Sequence, residues 1–387
     1  MTTTVCFIHP AFYPDQGSVG FFEYTRHLAA RDGYHVHAIA LRRPTEPASG
    51  TVGPVHVHRI DLGSGRPSRR QYLRFVQEAL ALLDPIAPDI AHVYFRRGCF
   101  TLARQGRKFH SHTRFVLDVR SSNLTRGVRK EISRTLNDLE AQFFDAVCAL
   151  DEAIWPNTFR WVKPSTITFL PLGVDVDKFS PRESSAVRRQ YGIEDDHQVL
   201  LHTGAIDPRR RLSVLVRALA IARRQFPRTR LMFVGKGSDV DRLQALSRQL
   251  EVADGVIFTG YVDYQDMHRY VNAADVGMAY VPITPEYDPQ PPTKTLEYLA
   301  CGLPVVATDT TGNRKYVTAN WNGLLVQDNA AAVANGVMRV ISDSDLARKL
   351  RRNAPGSVSE YTWEALVEDR LHPFYRNLLQ ARGRSET

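Results

Sequence analysis

Pro292-Thr293-Lys294-Thr295-Leu296-Glu297-Tyr298-Leu299-Ala300-Cys301-Gly302-Leu303-Pro304-Val305-Val306-Ala307-Thr308 reads as a short helix, a turn carrying Gly302 and Pro304, and a strand. From Pro304 to Ala307 the strand is apolar throughout, as a parallel strand covered on both faces requires. Lys294 and Glu297 lie three residues apart near the helix start. Spacing alone leaves two readings of that pair even. One is an ion pair on the helix surface. The other is a ligand site, with a lysine for phosphate and a carboxylate accepting hydroxyl hydrogen bonds.

The same alternation of strand and helix extends outward from this stretch. In the second half, strands are expected over Val199 to Thr203, Arg230 to Val234, Val256 to Thr259 and Val276 to Tyr280. Helices over Leu212 to Arg224, Val240 to Leu250 and Met267 to Ala274 separate them, and Ala330 to Ile341 and Leu346 to Arg352 follow as helices. In the first half, strands at Val5 to His9, Val36 to Leu41, Ile90 to Tyr94, Phe115 to Val119 and Ala146 to Leu150 alternate with helices at Phe21 to Arg31, Tyr72 to Leu83 and Lys130 to Phe144. Repeated units of this kind imply an α/β fold with parallel, doubly wound sheets. A length of 387 residues favours two domains. The polar segment from Phe179 to Ser185 is the linker candidate, and a terminal helix is expected from Trp363.

Apolar residues make up 43% and charged residues 24% of the chain, an ordinary globular balance. No apolar run reaches the roughly 18 residues that a spanning helix needs. Met1 to Ile8 passes into an apolar strand without a basic leader or cleavage site, which argues against a signal peptide. Cys6, Cys99, Cys148 and Cys301 show neither paired nor metal-ligand spacing, so reduced cysteines of a cytoplasmic protein are expected. The formal charge is +9. The excess gathers in the first half, at Arg66 to Arg74, Arg96-Arg97, Arg104 to Lys108 and Arg126 to Arg134. Such clusters suit an anionic partner surface, and the lipid headgroups of the inner membrane face fit better than nucleic acid. No zinc module, aromatic nucleic-acid platform or helix-turn-helix pattern accompanies them.

Three glycine-bearing turns precede helices or follow strands: Gly17 to Gly20, Gly204 to Arg211, and Gly235-Lys236-Gly237. Glycine there lets backbone N–H groups approach a phosphate, although such turns also need glycine for steric reasons alone. The second turn adds Arg209, Arg210 and Arg211. His9, His92, Asp118 and Arg120 fall at strand ends, while His35, His37, His56 and His58 alternate along strands and read as solvent-side residues. No Walker loop, nucleophile elbow or Asp-x-Asp metal context is present.

Taken in order, these elements resemble the retaining nucleotide-sugar glycosyltransferases of family 4, in a branch with a Pro-x-Lys-x-x-Glu-Tyr donor motif. The resemblance covers most of the second half, including Gly204 to Ala218, Phe233 to Gly237, Val256 to Val262, Leu296 to Thr308 and Asn322 to Val326. It implies a GT-B fold, two Rossmann-like domains facing a cleft. Residues 1–178 would form the acceptor side and 179–365 the donor side, with the terminal helix, 366–387, packing back on the first domain. It implies that Glu297 holds the donor ribose, that Arg210 binds the diphosphate, and that Tyr261 and Val262 lie by the nucleobase. Gly204, Gly235, Thr293 and Thr295 complete the donor side, and Gly17 and Gly20 approach from the other domain. His92 and Arg120 are the first domain's catalytic candidates. Two departures stand out: Ala205 occupies a place where the family often has an arginine, and Pro289 the place of a glutamate. Lys294 would restore the cation lost at Ala205, and Glu286 or Asp288 would replace the carboxylate. The expected reaction moves a sugar, most consistently from a UDP-sugar, to a hydroxyl acceptor such as a glycan or lipid-linked glycan precursor, without metal or cofactor. A nucleotide-sugar epimerase and a non-catalytic partner subunit of the same fold are the rival readings.

Overall fold

The computed structural model describes residues 2–14, 18–63, 67–121, 125, 127–163 and 166–383. Gly17, Arg66 and Arg126, named above, lie outside the described residues. The chain divides into two compact units, Met1–Leu172 with Trp363–Thr387, and Gly173–Thr362. The crossover between units thus comes slightly before residue 179, and the return slightly before 366.

The first unit holds β1 (Thr3–Phe12), β2 (Tyr34–Leu41), β3 (Ser49–Val52), β4 (Val55–Ile60), β5 (Ile90–Tyr94), β6 (Arg114–Val119), β7 (Ala146–Ala149) and β8 (Ile167–Phe169). They form one sheet in the order β3-β4-β2-β1-β5-β6-β7-β8. Each neighbouring pair is parallel except β3 with β4. Strand pleating sends alternate residues to opposite faces. Cys6 and Ile8 of β1 therefore enter one core with Phe75, Leu83 and Phe115. Val5 and Phe7 enter a second core with Phe21, Tyr24 and Leu28. Helix α1 (Val19–Ala29) covers the second layer, whereas α2 (Arg69–Ile86) and α3 (Phe100–Phe109) cover the first. Trp363, Leu366, Leu371 and Tyr375 join the second core, so the terminal helical segment is part of the first unit. The four cysteines are buried and unpaired.

Strands β9 (Gln198–Thr203), β10 (Thr229–Val234), β11 (Val256–Gly260), β12 (Val276–Ala279), β13 (Val305–Thr308) and β14 (Gly323–Val326) build the second sheet, all parallel, in the order β11-β10-β9-β12-β13-β14. Strand order reverses between β9 and β12. In an open parallel sheet that reversal leaves a crevice beyond the strand carboxyl ends, where ligands bind. The helix Thr293–Ala300 leads into β13 and delivers the opening motif to this place.

Sequence reading passed over α3 because Gly106 and three cations interrupt its apolar pattern. Gly106 is there for packing: a Cβ would lie 2.4 Å from the Phe115 ring. Gly106→Ala is expected to cost about 1–3 kcal/mol of stability by overpacking. An unchanged urea midpoint would contradict this account of the layer.

Candidate functional site

The floor of the site is two turns pressed together. Gly204 and Gly235 follow β9 and β10 with φ of 120° and 147°, conformations that side chains resist. A Cβ on Gly235 would lie 2.0 Å from the Gly204 carbonyl oxygen, and one on Gly237 would lie 2.0 Å from that of Ile206. Backbone bonds lace the turns: Gly204 N–H donates to Val234 O at 2.9 Å, and Ile206 N–H to Lys236 O at 3.1 Å. Gly235 N–H donates to Gly260 O at 2.9 Å. The N–H groups of Gly204 and Gly235 are thus already bonded within the protein. These glycines act through close backbone approach, which corrects the expectation that their N–H groups face a phosphate.

Lys294 rises from the first turn of its helix against this floor. Its Nζ lies 3.7 Å from where a Gly204 Cβ would stand. It donates to His202 Nε2 at 3.1 Å, while His202 Nδ1 faces Met278 O at 3.3 Å. An ammonium can only donate, so Nε2 is the acceptor and Nδ1 carries the proton. His202 is held neutral, its pKa driven well down by burial and then by the Lys294 charge. Burial, then Arg210, lowers the Lys294 pKa to about 7. Arg209 pairs with Asp207 at 2.9 Å and Arg211 with Asp328 at 3.0 Å. Arg210 has no carboxylate partner among the described residues, and its guanidinium lies 4.6 Å from the Tyr287 ring centroid. Lys294 and Arg210, neither in an ion pair among the described residues, therefore stand together at the carboxyl end of β9.

Glu297 is buried one turn further along the helix. Burial raises its pKa to about 7, opposed by the Tyr264 hydroxyl and the charges of Lys294 and Lys178. Lys178 Nζ sits 4.3 Å from the Tyr264 ring centroid. Tyr298 anchors the helix, its hydroxyl accepting from Thr203 N–H at 2.8 Å. Gly277 of β12 makes room, since its Cβ would lie 2.5 Å from the Tyr298 ring. Thr295 is buried and donates to Asn313 Oδ1 at 3.1 Å, which makes it a tether of the helix and takes it out of the donor-facing set. Thr293 remains partly exposed in the first turn. Tyr261 is exposed beneath Lys236, whose Nζ lies 4.8 Å from its ring centroid, and Val262 follows it, half-buried. Beside buried Pro289, the Asp288 carboxylate accepts from Thr311 Oγ1 at 2.6 Å and Thr311 N–H at 3.2 Å. It is bound to its neighbour and does not stand in for the absent glutamate.

In the first unit, His92 is 1% exposed. Its Nε2 lies 3.1 Å from Asp118 Oδ2, and its Nδ1 2.7 Å from the Tyr375 hydroxyl. Both ring nitrogens are committed, so its role is a buried polar link, contrary to the catalytic expectation. Arg120 donates to Leu170 O at 2.6 Å, and its Nη2 lies 2.7 Å from where a Gly20 Cβ would stand. Gly20 thus admits a guanidinium to the start of α1. Elsewhere, Glu194, Asp196 and His197 gather closely enough to suggest a metal. Arg228 pairs with both carboxylates, and His197 Nδ1 accepts the Glu194 N–H at 2.9 Å, so that set is satisfied internally.

Two family models match this chain. Residues 183–356 match the glycosyl transferases group 1, and residues 18–178 match glycosyltransferase family 4. The two matches fall one in each half of the chain. A D-inositol 3-phosphate glycosyltransferase of Acidothermus cellulolyticus is 27% identical over 96% of this chain and 88% of its own length. Its counterpart in Stackebrandtia nassauensis is 32% identical over 57% of this chain and 51% of its own length. That match spans about half the length of the curated relative. Among solved structures, a sucrose-phosphate synthase of Thermosynechococcus elongatus superposes with a TM-score of 0.77 at 21% identity, over 98% of this chain and all of that one. HepE of Anabaena, solved with UDP, gives 0.73 at 17% identity over 95% and 98%. The fold is GT-B. No described helix is long and apolar enough to cross a membrane.

Tyr298→Phe tests the anchor. Removing the hydroxyl leaves the Thr203 N–H buried without its acceptor, and a loss of about 1–3 kcal/mol is expected in thermal melts. Equal melting temperatures would show that the helix is held by packing alone.

Proposed function

We propose that this protein is a glycosyltransferase that moves a sugar from a nucleoside-diphosphate donor, a UDP-sugar first, to a hydroxyl acceptor with retention at the anomeric carbon. The observation that carries the reading is the pair of cations, Lys294 and Arg210, at the carboxyl end of β9, with the Glu297 carboxylate on the same helix as Lys294. A nucleoside diphosphate offers the matching groups, a dianion and a ribose diol. Cleavage of the sugar–phosphate bond builds negative charge on the departing diphosphate. Fixed cations stabilise that charge without reorganising, and in this reading they supply what a metal supplies elsewhere. Lys294 takes the part of the cation absent at Ala205, and Glu297 accepts the ribose hydroxyls. The departing phosphate oxygen takes the acceptor proton on the same face, so no enzyme nucleophile is required. HepE has been solved with UDP and with UDP-glucose, which guides the first choice of ligand. The acceptor is a glycan or lipid-linked glycan precursor, at the inner face of a membrane.

Lys294→Ala is expected to lower kcat about 10²–10³-fold, the usual cost of losing one preorganised charge partner in such a site. Arg210→Ala should follow in the same direction, with melting temperatures nearly unchanged in both. Wild-type turnover in either purified variant would remove the phosphate assignment.

Donor affinity should also depend on pH. The diphosphate needs Lys294 protonated, a condition met below its pKa of about 7 and lost as pH rises through it. The ribose needs Glu297 ionised, a condition met above its pKa of about 7 and lost as pH falls through it. Affinity for UDP is therefore expected to peak near neutrality and to fall by up to tenfold per pH unit on either side. A flat profile by calorimetry would exclude these two groups as the donor contacts.

A further inference from the structure

Helix α4 (Val128–Ala141) presents apolar residues outward and polar residues inward. Val128, Ile132, Leu136 and Leu139 are 76%, 55%, 42% and 45% exposed. Its buried positions are Asn137, Asp138, Glu140 and Ala141. At 100° per residue, the four exposed side chains fall within an arc of about 80°, one continuous stripe.

Specific bonds fix this orientation. Asn137 Nδ2 donates to Thr158 O at 2.7 Å. The Asp138 carboxylate accepts backbone N–H groups from Arg160, Trp161 and Val162 at 2.9, 3.2 and 3.0 Å. Glu140 accepts the Gly98 N–H at 3.0 Å. Turning the stripe inward would leave these buried groups without partners, at a cost the stripe's burial could not offset. Asp138 also holds an exposed aromatic beside the helix: Trp161 is 57% exposed, with the Arg160 guanidinium 5.5 Å from its ring centroid.

The stripe is rimmed by cations. Arg129, Arg160 and Lys163 are exposed. Glu131, the acid of the helix's first turn, is already paired with Arg134 at 2.9 Å. An aliphatic stripe, an adjoining tryptophan and a basic rim are the features of a helix that lies in a lipid–water interface. A second copy docking through the same face would set this rim against itself, because a two-fold contact is self-complementary.

We propose that α4 and Trp161 form a surface that docks on an anionic lipid bilayer. Val128, Ile132, Leu136 and Leu139 enter the headgroup–acyl boundary, Trp161 sits at headgroup level, and Arg129, Arg160 and Lys163 meet phosphates. The purpose of docking rests on the reading that the acceptor is lipid-linked; the docking itself is measured without any sugar transfer.

The test is co-sedimentation of the full chain with vesicles of phosphatidylcholine alone and of phosphatidylcholine with about 30% phosphatidylglycerol. Sedimentation with the anionic vesicles, and much less with the neutral ones, is expected. The double substitution Ile132→Ser and Leu136→Ser should lower partitioning at least about tenfold. Arg129→Ser with Arg160→Ser should lower it about ten- to thirty-fold. All these side chains are exposed, so melting temperature and UDP binding should stay at wild-type values. Equal sedimentation of wild type and the Ile132/Leu136 variant would overturn the proposal, as would no sedimentation of wild type. A concentration-dependent dimer by light scattering, abolished in that variant, would assign the stripe to self-association instead. Lost docking with UDP binding intact removes this surface alone; absent UDP binding with docking intact removes the donor reading alone.

Discussion

The constraint on which the second unit depends is the contact between the Gly235 backbone and the Gly204 carbonyl. No side chain fits between them, because any Cβ on Gly235 would overlap that oxygen. Two βα turns that would otherwise be separate loops become one floor, tied by the Ile206–Lys236 bond. Lys294 and Arg210 stand on that floor. Lys294 packs on it at the Gly204 end, its Nζ 3.7 Å from where a Gly204 Cβ would stand.

What the floor supports is an electrostatic imbalance. A lysine packed against a neutral histidine and near an arginine, with its nearest acid desolvated, is costly. Its lowered pKa records that cost. Glu297 carries the opposite displacement for the same reason, burial. Pairs of groups pushed from their ordinary values in a crevice are candidates for a functional site. In the proposed function, a diphosphate would relieve the first strain and a ribose diol the second. Remote anchors hold the geometry: Tyr298 on Thr203, Thr295 on Asn313, and Gly277 opening space for the ring.

The βα alternation was legible because buried parallel strands are runs of apolar residues, and Pro304 to Ala307 is one. Lys294 and Glu297 were legible as a pair, since both lie on one short helix. Their surroundings were not. His202, Tyr264 and Lys178 reach the site from distant segments, and no local spacing marks such contacts. His92 shows the converse. It reads as a strand-end residue open to a ligand, but Tyr375, far along the chain, covers it and takes its second nitrogen. Thr295 failed for a related reason, since Asn313 claims its hydroxyl. The inverted face of α4 is likewise invisible to a hydrophobicity pattern, which shows a stripe without showing the side on which it lies.

The central claim is that Lys294 is a partly deprotonated cation waiting for a diphosphate. Isothermal titration of UDP into the protein at about pH 8, repeated in buffers of different ionisation enthalpy, measures it through the protons taken up on binding. Wild-type protein should take up close to one proton per UDP bound, and Lys294→Gln should take up almost none. UDP binding without proton uptake in wild type, or the same uptake in both proteins, would contradict the account.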